Sequence, residues 1–186
     1  MDRNNPAQAF TLAEVMIGST IASFVLLGVL STFLMLGRSG VNLANYTTMD
    51  AQTRRALEDF AQDTRMASAI TWNSDTSITL TVPGNYTDDA NRVTYAWDNT
   101  SGSATYRYFY RRPGDASSTR AATTYLANVT RFSYYRYDRL NVATTTDAAT
   151  KRVQISMTAT MSRTTLVTAT DTTISASYIL RNKTST

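Results

Sequence analysis

The stretch AFTLAE at residues 9–14 leads into an uncharged run at residues 15–36, VMIGSTIASFVLLGVLSTFLML. The run has 22 residues, roughly 33 Å of α-helix at about 1.5 Å per residue. This length predicts a transmembrane helix, because the hydrocarbon core of a bilayer is about 30 Å thick. Glu14 stands at its entrance, and a carboxylate costs roughly 2.5–3.5 kcal/mol near the centre of a membrane helix. Its charge therefore predicts a partner, and one candidate is a free amine at Phe10 if the chain is cut after Ala9.

The pattern F-T-L-x-E before an apolar run resembles the cleavage and methylation motif shared by type IV prepilins and type II secretion pseudopilins. The resemblance implies that a membrane prepilin peptidase cuts between Ala9 and Phe10 and methylates the new amine of Phe10. It also implies that Glu14 neutralises the amine of a neighbouring subunit during fibre assembly. The family usually has Gly before the cut, where this chain has Ala9.

Two other interpretations of the apolar run are a cleaved secretory signal peptide and an uncleaved signal anchor. A signal peptide has an apolar region of about 7–15 residues with its cleavage site after that region. Here the run is longer, and the A-x-A-like triplet Ala7-Gln8-Ala9 precedes it. An ordinary signal anchor predicts neither Glu14 nor the F-T-L-x-E pattern.

A second resemblance lies further along the chain, at residues 54–67, RRALEDFAQDTRMA. This segment resembles the stem of PulJ-like minor pseudopilins (pseudopilin J of type II secretion) and PilW-like minor pilins, whose pattern is roughly RRALxxLxxDLRxA. Thr64 takes the place of the usual Leu, and SYILRN at residues 177–182 resembles the C-terminal end of the same group. The resemblance implies a structural subunit, assembled near the tip of a type II secretion pseudopilus.

The same resemblance implies a location and a set of partners. The precursor would be a single-pass protein of the bacterial inner membrane, with a cytoplasmic N-terminus and a periplasmic C-terminal domain. Its partners would be prepilin peptidase, other minor and major pseudopilins or pilins, and secreted substrate proteins. A minor pilin of a type IV pilus, serving adhesion, motility or DNA uptake, is the alternative within the family. A signal-anchored binding module that never assembles is the alternative outside it.

The predicted fold class is α+β and pilin-like: a long N-terminal helix, half transmembrane and half amphipathic, packed on a C-terminal antiparallel β-sheet. The predicted organisation is a leader at 1–9, a transmembrane helix half at 10–40 and an exported domain at 41–186. Within that domain, residues 41–72 show helical periodicity and residues 73–186 are rich in strand formers. Asp50–Arg54 and Arg55–Asp59 are spaced as i,i+4 ion pairs on the helix.

After residue 72 the apolar period changes from 3.6 to 2, which predicts strands separated by Pro-Gly and Asn-rich turns. The predicted strands are Ser77–Val82, Arg92–Trp97, Thr105–Arg111, Thr123–Leu126, Val129–Tyr137, Arg152–Ser162 and Thr172–Leu180.

Composition restricts the chemistry of the chain. Cysteine and histidine are both absent, which excludes disulfides, Cys or His metal sites, cysteine nucleophiles and histidine-based triads. No Gly-rich phosphate loop or nucleophile elbow is present. The sequence therefore predicts a protein that is not an enzyme and that has no catalytic residues, cofactor or metal. The net charge of +4 permits an anionic partner without requiring one.

Several residues have a functional and a structural interpretation. Gly18, Ser23 and Gly28 are small residues that let membrane helices approach closely, although Gly and Ser are also simply tolerated in lipid. Tyr and Arg interleave at residues 106–112 and 131–137. Such segments can stack bases, but half-buried strands with Arg stems lying along apolar surface are favoured, so nucleic acid is not expected as a partner.

Asp88, Asp89 and Asp98 form the most acidic part of the strand region. Calcium requires several oxygen ligands, and these acids show no regular ligand spacing. A solvated loop is therefore favoured over a calcium site.

Overall fold

The computed structural model describes residues 10–161 and 170–184. The predicted leader, residues 1–9, and Ser162 at the end of a predicted strand lie outside the described residues. One helix, α1 (Leu12–Met66), precedes two antiparallel sheets, so the architecture is α+β, as predicted. The strands are β1 (Ala69–Ser74), β2 (Ser77–Thr81), β3 (Arg92–Trp97), β4 (Phe109–Pro113), β5 (Thr123–Leu126), β6 (Val129–Tyr137), β7 (Arg152–Met161) and β8 (Thr170–Ile179).

Two compact units divide the chain between Ala44 and Asn45, four residues after the boundary expected from the sequence. In the first unit the apolar side chains of residues 15–36 are exposed along the helix. Helix α1 is long and apolar enough in this part to cross a membrane. The coarse prediction of one membrane-compatible helix near the N-terminus is therefore confirmed.

The second unit begins at Asn45 and contains the rest of α1 with both sheets. Phe60 is fully buried and contacts aromatic rings from both sheets: Tyr95 at 5.1 Å between ring centroids, Tyr134 at 5.9 Å and Tyr178 at 5.5 Å. Rings at these separations add to the stabilisation from burial. The buried positions of the helix recur mainly at intervals of three and four residues: Met49, Thr53, Ala56, Phe60, Ala61, Asp63 and Thr64.

The strands form two antiparallel sheets. Sheet A has five strands in the order β1-β2-β3-β4-β5, and sheet B has three in the order β6-β7-β8. Strands β3, β5 and β6 have the predicted bounds, whereas β2 and β8 differ from the prediction by one or two residues at their ends. The N–H of Val129 in β6 donates to Arg107 O at 2.8 Å, which joins the start of sheet B to the turn before β4.

The end of the helix differs from the prediction. Helix α1 ends at Met66 rather than near residue 72, and residues 69–74 form the unpredicted strand β1. The N–H of Ser68 donates to Thr81 O at 2.8 Å, so the chain already follows β2 at this point. Asn182 Nδ2 donates to Met66 O at 3.0 Å and satisfies one of the carbonyls that the last helical turn leaves open.

Strand β4 also begins later than predicted, at Phe109 instead of Thr105. The preceding residues form a turn around Asp98, whose carboxylate accepts hydrogen bonds from Thr100 N, Ser103 Oγ and Thr105 Oγ1 at 2.6–2.8 Å. Partial burial raises the pKa of Asp98, but these hydrogen bonds outweigh it and lower that pKa to about 2. Tyr106 and Tyr108, which the sequence analysis placed in this strand, therefore precede it.

The turn after β4 requires glycine at position 114, which leads to a testable prediction. Gly114 has φ +95°, and a Cβ there would lie 2.7 Å from Ser118 Cβ and Oγ. Gly114→Ala should lower the free energy of unfolding by about 2–4 kcal/mol, from the left-handed conformation and the clash together. Gly84→Ala is the matched control, because Gly84 has φ +79° with open space around it, and should cost only about 1–2 kcal/mol. Urea unfolding of the two variants would contradict this account if their losses were equal.

Candidate functional site

The N-terminus of α1 is closed by a reciprocal set of hydrogen bonds between Thr11 and Glu14. Glu14 Oε2 accepts from Thr11 N and Thr11 Oγ1, both at 2.9 Å, and Glu14 N donates to Thr11 Oγ1 at 3.3 Å. This is a capping box, in which a Thr before the helix and a Glu three residues later satisfy each other's main-chain N–H groups. The carboxylate of Glu14 therefore has a local partner within its own chain.

The other residues predicted for processing are placed only in part. Phe10 directly precedes Thr11 and is 84% exposed, so its main chain and ring are open to the surroundings. Ala9, on the other side of the predicted cleavage site, lies outside the described residues. Within the described residues, the partner of the Glu14 carboxylate is Thr11 rather than Phe10.

The predicted packing residues Gly18, Ser23 and Gly28 lie exposed on the helix. A Cβ at either glycine would meet nothing within 4 Å. The hydroxyl of Ser23 donates to Ser19 O at 2.8 Å, and Thr32 donates to Gly28 O at 2.9 Å. Because these hydroxyls bond within their own helix, the run needs no outside polar partner for them in an apolar environment.

The outer part of α1 carries a buried carboxylate, Asp63, that the sequence analysis did not single out. Asp63 is 4% exposed, and its Oδ2 accepts hydrogen bonds from Tyr95 Oη and Tyr86 Oη, both at 2.7 Å. The guanidinium of Arg111 lies 3.6 Å from the same oxygen and also donates to Tyr86 Oη. Tyr86 has a left-handed φ of +53°, a strained conformation for a residue with a side chain, and these contacts hold it in place.

One helical turn earlier, Asp59 makes a parallel set of contacts. Tyr125 Oη in β5 donates to Asp59 Oδ2 at 2.6 Å, and Arg111 Nη1 lies 3.6 Å from that oxygen. The predicted Asp50–Arg54 pair is present at 2.9 Å, but Asp59 contacts the sheet where a pair with Arg55 was expected. We call the whole set the polar clamp: Asp59, Asp63, Tyr86, Tyr95, Arg111 and Tyr125.

Burial sets the protonation preferences within the polar clamp. It raises the pKa of Asp63, and the Tyr95 hydrogen bond and the charge of Arg111 offset this only in part. Burial together with the charge of Asp63 raises the pKa of Tyr95 far above its ordinary value. Burial and the Asp59 hydrogen bond raise the pKa of Tyr125 to about 12. Both phenols therefore stay protonated at neutral pH and donate to the carboxylates, so the polar clamp fixes α1 to sheet A.

Arginines of the two Tyr/Arg segments lie over aromatic rings of the protein itself. Arg112 stands 5.0 Å from the ring centre of Tyr110, and Arg136 stands 4.6 Å from that of Trp72. Arg136 also pairs with Asp147 at 2.6 Å. Phe109, Phe132 and Tyr134 of these segments are buried. These contacts are typical of half-buried strands with Arg stems on apolar surface, the interpretation favoured from the sequence.

The acidic loop is held by hydrogen bonds and an ion pair. Asp89 pairs with Arg120 at 3.0 Å, and Asp98 closes the turn before β4. Over residues 10–161 and 170–184, no group of three or more carboxylates or other metal-binding side chains is placed to hold an ion.

No protein-family model matches this chain, and no curated protein matches it. The functional argument therefore depends on the residues themselves. The two features with the clearest chemistry are the Thr11–Glu14 cap, which contains the predicted assembly residue Glu14, and the polar clamp.

The capping box could have been found in the sequence, since Thr11-x-x-Glu14 before an apolar run is its signature. The polar clamp had a weaker signal: two acids, Asp59 and Asp63, flanking Phe60 on the apolar stripe of the helix. An acid on a stripe that must be buried predicts a buried partner, but its identity lies far along the chain.

Proposed function

We propose that this chain is a minor pseudopilin-like structural subunit, which prepilin peptidase processes and which then enters the pseudopilus of a type II secretion system near its tip. One observation carries the proposal: a single acid, Glu14, stands at the head of an uncharged apolar helix within the pattern F-T-L-x-E. In an isolated chain this helix leaves its large apolar side chains exposed. Such a surface requires lipid, other helices or both.

The outer unit supports the same proposal. Its part of the helix is joined to sheet A by the polar clamp and to both sheets by Phe60. The residues that resemble PulJ-like stems, 54–67, include Asp63, which accepts the Tyr95 and Tyr86 hydrogen bonds. A structural reason for an acid in that segment is thus present.

The proposal places the N-terminus in the cytoplasm and the outer unit in the periplasm of a bacterial cell. Stem packing through Gly18, Ser23 and Gly28, and the pairing of Glu14 with a neighbour's methylated Phe10 amine, belong to the proposal. In this account Glu14 leaves its Thr11 hydrogen bonds, at least in part, when it meets the amine of another subunit. Secreted proteins and other minor subunits are the proposed contacts of the outer unit.

Intact mass of the membrane-extracted protein tests the proposal directly. The chain should be produced in its host with and without the prepilin peptidase. The expected result is a peptidase-dependent loss of residues 1–9 together with the addition of one methyl group at Phe10. The same mass measurement on a Phe10→Ala variant tests whether the side chain at position 10 affects cleavage or methylation. The same full-length mass in both strains would show that the chain is not a prepilin.

One observation favours a second candidate, a signal-anchored binding module that does not assemble. In the capping box, Thr11 and Glu14 have a structural role at the helix N-terminus that requires neither processing nor a neighbouring subunit. A minor pilin of a type IV pilus shares all the processing chemistry. Deletion of the gene separates these candidates: loss of protein export supports the pseudopilus, and loss of twitching or transformation supports the pilus.

A further inference from the structure

The two sheets end in four edge strands, and three of them carry features that block pairing with another chain. Strand β5 is only four residues long. Strand β1 has a register shift after Trp72, whose N–H donates to the carboxylate of Asp147 at 3.1 Å. Strand β6 has a register shift near Val129, whose N–H bonds to Arg107 O. Short length, bulges and covered N–H groups are the usual protection of sheet edges.

Strand β8, the remaining edge, has none of these features. Its ten residues pair with β7 in one unbroken register, from Thr170 opposite Met161 to Ile179 opposite Arg152. The sequence of the strand, TDTTISASYI, contains no Lys, Arg, Pro or Gly. Within the described residues, no strand pairs with its other side. A long edge without a bulge exposes a row of main-chain donors and acceptors that another strand can use.

A groove of about 650 Å³ lies beside this edge, between β8 and the outer part of α1. Leu57, Ala61, Met66 and Tyr178 give it an apolar floor. Inward-facing residues of β8, such as Ile174 and Tyr178, are more buried than their outward-facing neighbours. Side chains of an added strand that point to the same side of the sheet as Tyr178 would therefore face this groove.

The charge of the groove indicates what the added strand contains. Arg54 and Arg65 line it together with one acid, Glu58, and Arg54 is already paired with Asp50. A second depression of about 430 Å³ shares Arg65 and Met66 with the groove and adds Arg181. The excess of arginine at one end favours an acidic residue in the occupant.

We infer that β8 is a docking site for an extended segment of another polypeptide, which adds as a fourth strand to sheet B. The segment has apolar side chains at alternate positions, facing Leu57, Ala61 and Met66, and an acidic residue that reaches Arg65. Main-chain hydrogen bonds to β8 supply affinity, and the groove and its arginines supply selectivity. The inference stands whether or not the chain enters a fibre, because the edge and the groove belong to the outer unit alone.

The test uses the full chain in detergent micelles and a labelled synthetic peptide of about eight residues, a usual strand length. The peptide has valine at alternate positions and glutamate at each end. Fluorescence anisotropy measures its binding, and hydrogen exchange locates it. We expect saturable binding with new protection of amides in β8. Two further peptides are each methylated at alternate main-chain nitrogens, so that one edge of each peptide cannot donate hydrogen bonds. The peptide methylated on the edge that pairs with β8 should bind at least about tenfold more weakly.

Arg65→Glu tests the charge, and Arg131→Glu, at an exposed position of β6, is the matched control with the same change in charge. We expect the first to weaken peptide binding about tenfold and the second to leave it within about twofold. The N-methylated peptides keep the test independent of any loss of folding in the Arg65 variant. Absence of peptide binding, equal binding of all N-methylated forms, or protection of β1, β5 or β6 would overturn the inference. So would a concentration-dependent dimer of the chain that protects β8 without peptide.

Discussion

On the proposed function, changing Glu14 to Gln is expected to lower incorporation into the proposed fibre about a hundredfold while leaving the helix N-terminus intact. Gln keeps a side-chain oxygen that can accept from Thr11 N, so the cap survives. It loses the charge, and removing one partner of a buried ion pair costs roughly 3–5 kcal/mol. The measurement is the ratio of sheared-fibre protein to membrane protein, by immunoblot, with membrane insertion checked separately.

Two further variants separate capping from charge. Thr11→Val removes the hydroxyl that bonds Glu14 but keeps the carboxylate, and it should assemble nearly as well as the wild type. Glu14→Ala removes both functions and should behave like Glu14→Gln in assembly. If Glu14→Gln assembled normally and Thr11→Val did not, Glu14 would act as a helix cap, and the amine-pairing role would be refuted.

Asp63→Ala should lower the free energy of unfolding by about 3–5 kcal/mol. The change leaves Tyr95 Oη buried with no acceptor and takes one of two carboxylates away from Arg111. Removing one member of a buried, hydrogen-bonded charge network has an effect of this size. Urea unfolding of the full chain in detergent, followed by tryptophan fluorescence, measures it.

Asp50→Ala is the matched control, because Asp50 is an exposed acid on the same helix whose described ion pair is an i,i+4 contact with Arg54. It should change the unfolding free energy by less than about 0.5 kcal/mol. Tyr95→Phe should have an intermediate effect of about 1–3 kcal/mol, since it removes one donor and leaves the carboxylate its other contacts. Equal losses for Asp50→Ala and Asp63→Ala would mean that the polar clamp does not hold the fold.

The pH dependence of stability provides an independent check on Asp63. Its pKa in the folded protein is raised above the ordinary 3.8, so the folded state binds more protons than the unfolded state in the interval above that value. The associated stabilisation is complete below pH 3.8 and is lost as pH rises through the folded pKa. The stability of wild type relative to Asp63→Asn should therefore fall from about pH 4 toward neutrality. A difference that rose over this interval would contradict the direction of the shift.

Local signals predicted much of the fold. Strands β3, β5 and β6 have their predicted bounds, because each is a segment rich in β-branched and aromatic residues next to turn residues. The prediction of the helix end was wrong, because Ile70 and Trp72 continue the apolar spacing of the helix and no Pro or Gly interrupts it. What ends the helix is the pairing of Ser68 with Thr81. That contact belongs to the tertiary structure and overrides helical periodicity.

In the candidate site too, local contacts could be predicted from the sequence and long-range contacts could not. The Thr11–Glu14 contact spans three residues, so sequence alone carries its signature. The polar clamp joins Asp63 to Tyr86 and Tyr95 over 23 and 32 residues, and Asp59 to Tyr125 over 66 residues. Helical spacing assigned Asp59 to Arg55, but a weak exposed pair of this kind gives way to buried partners in the sheet.

The Asn182–Met66 hydrogen bond has a consequence for the order of folding. The two residues are 116 positions apart, so the last turn of α1 is closed by a segment that the ribosome makes much later. Contacts of such long separation form late, because the intervening chain must first be ordered. A nascent chain that has passed Met66 therefore leaves this helix carbonyl without its Asn182 partner until residue 182 has emerged, so the outer unit completes its folding only after that residue has been made.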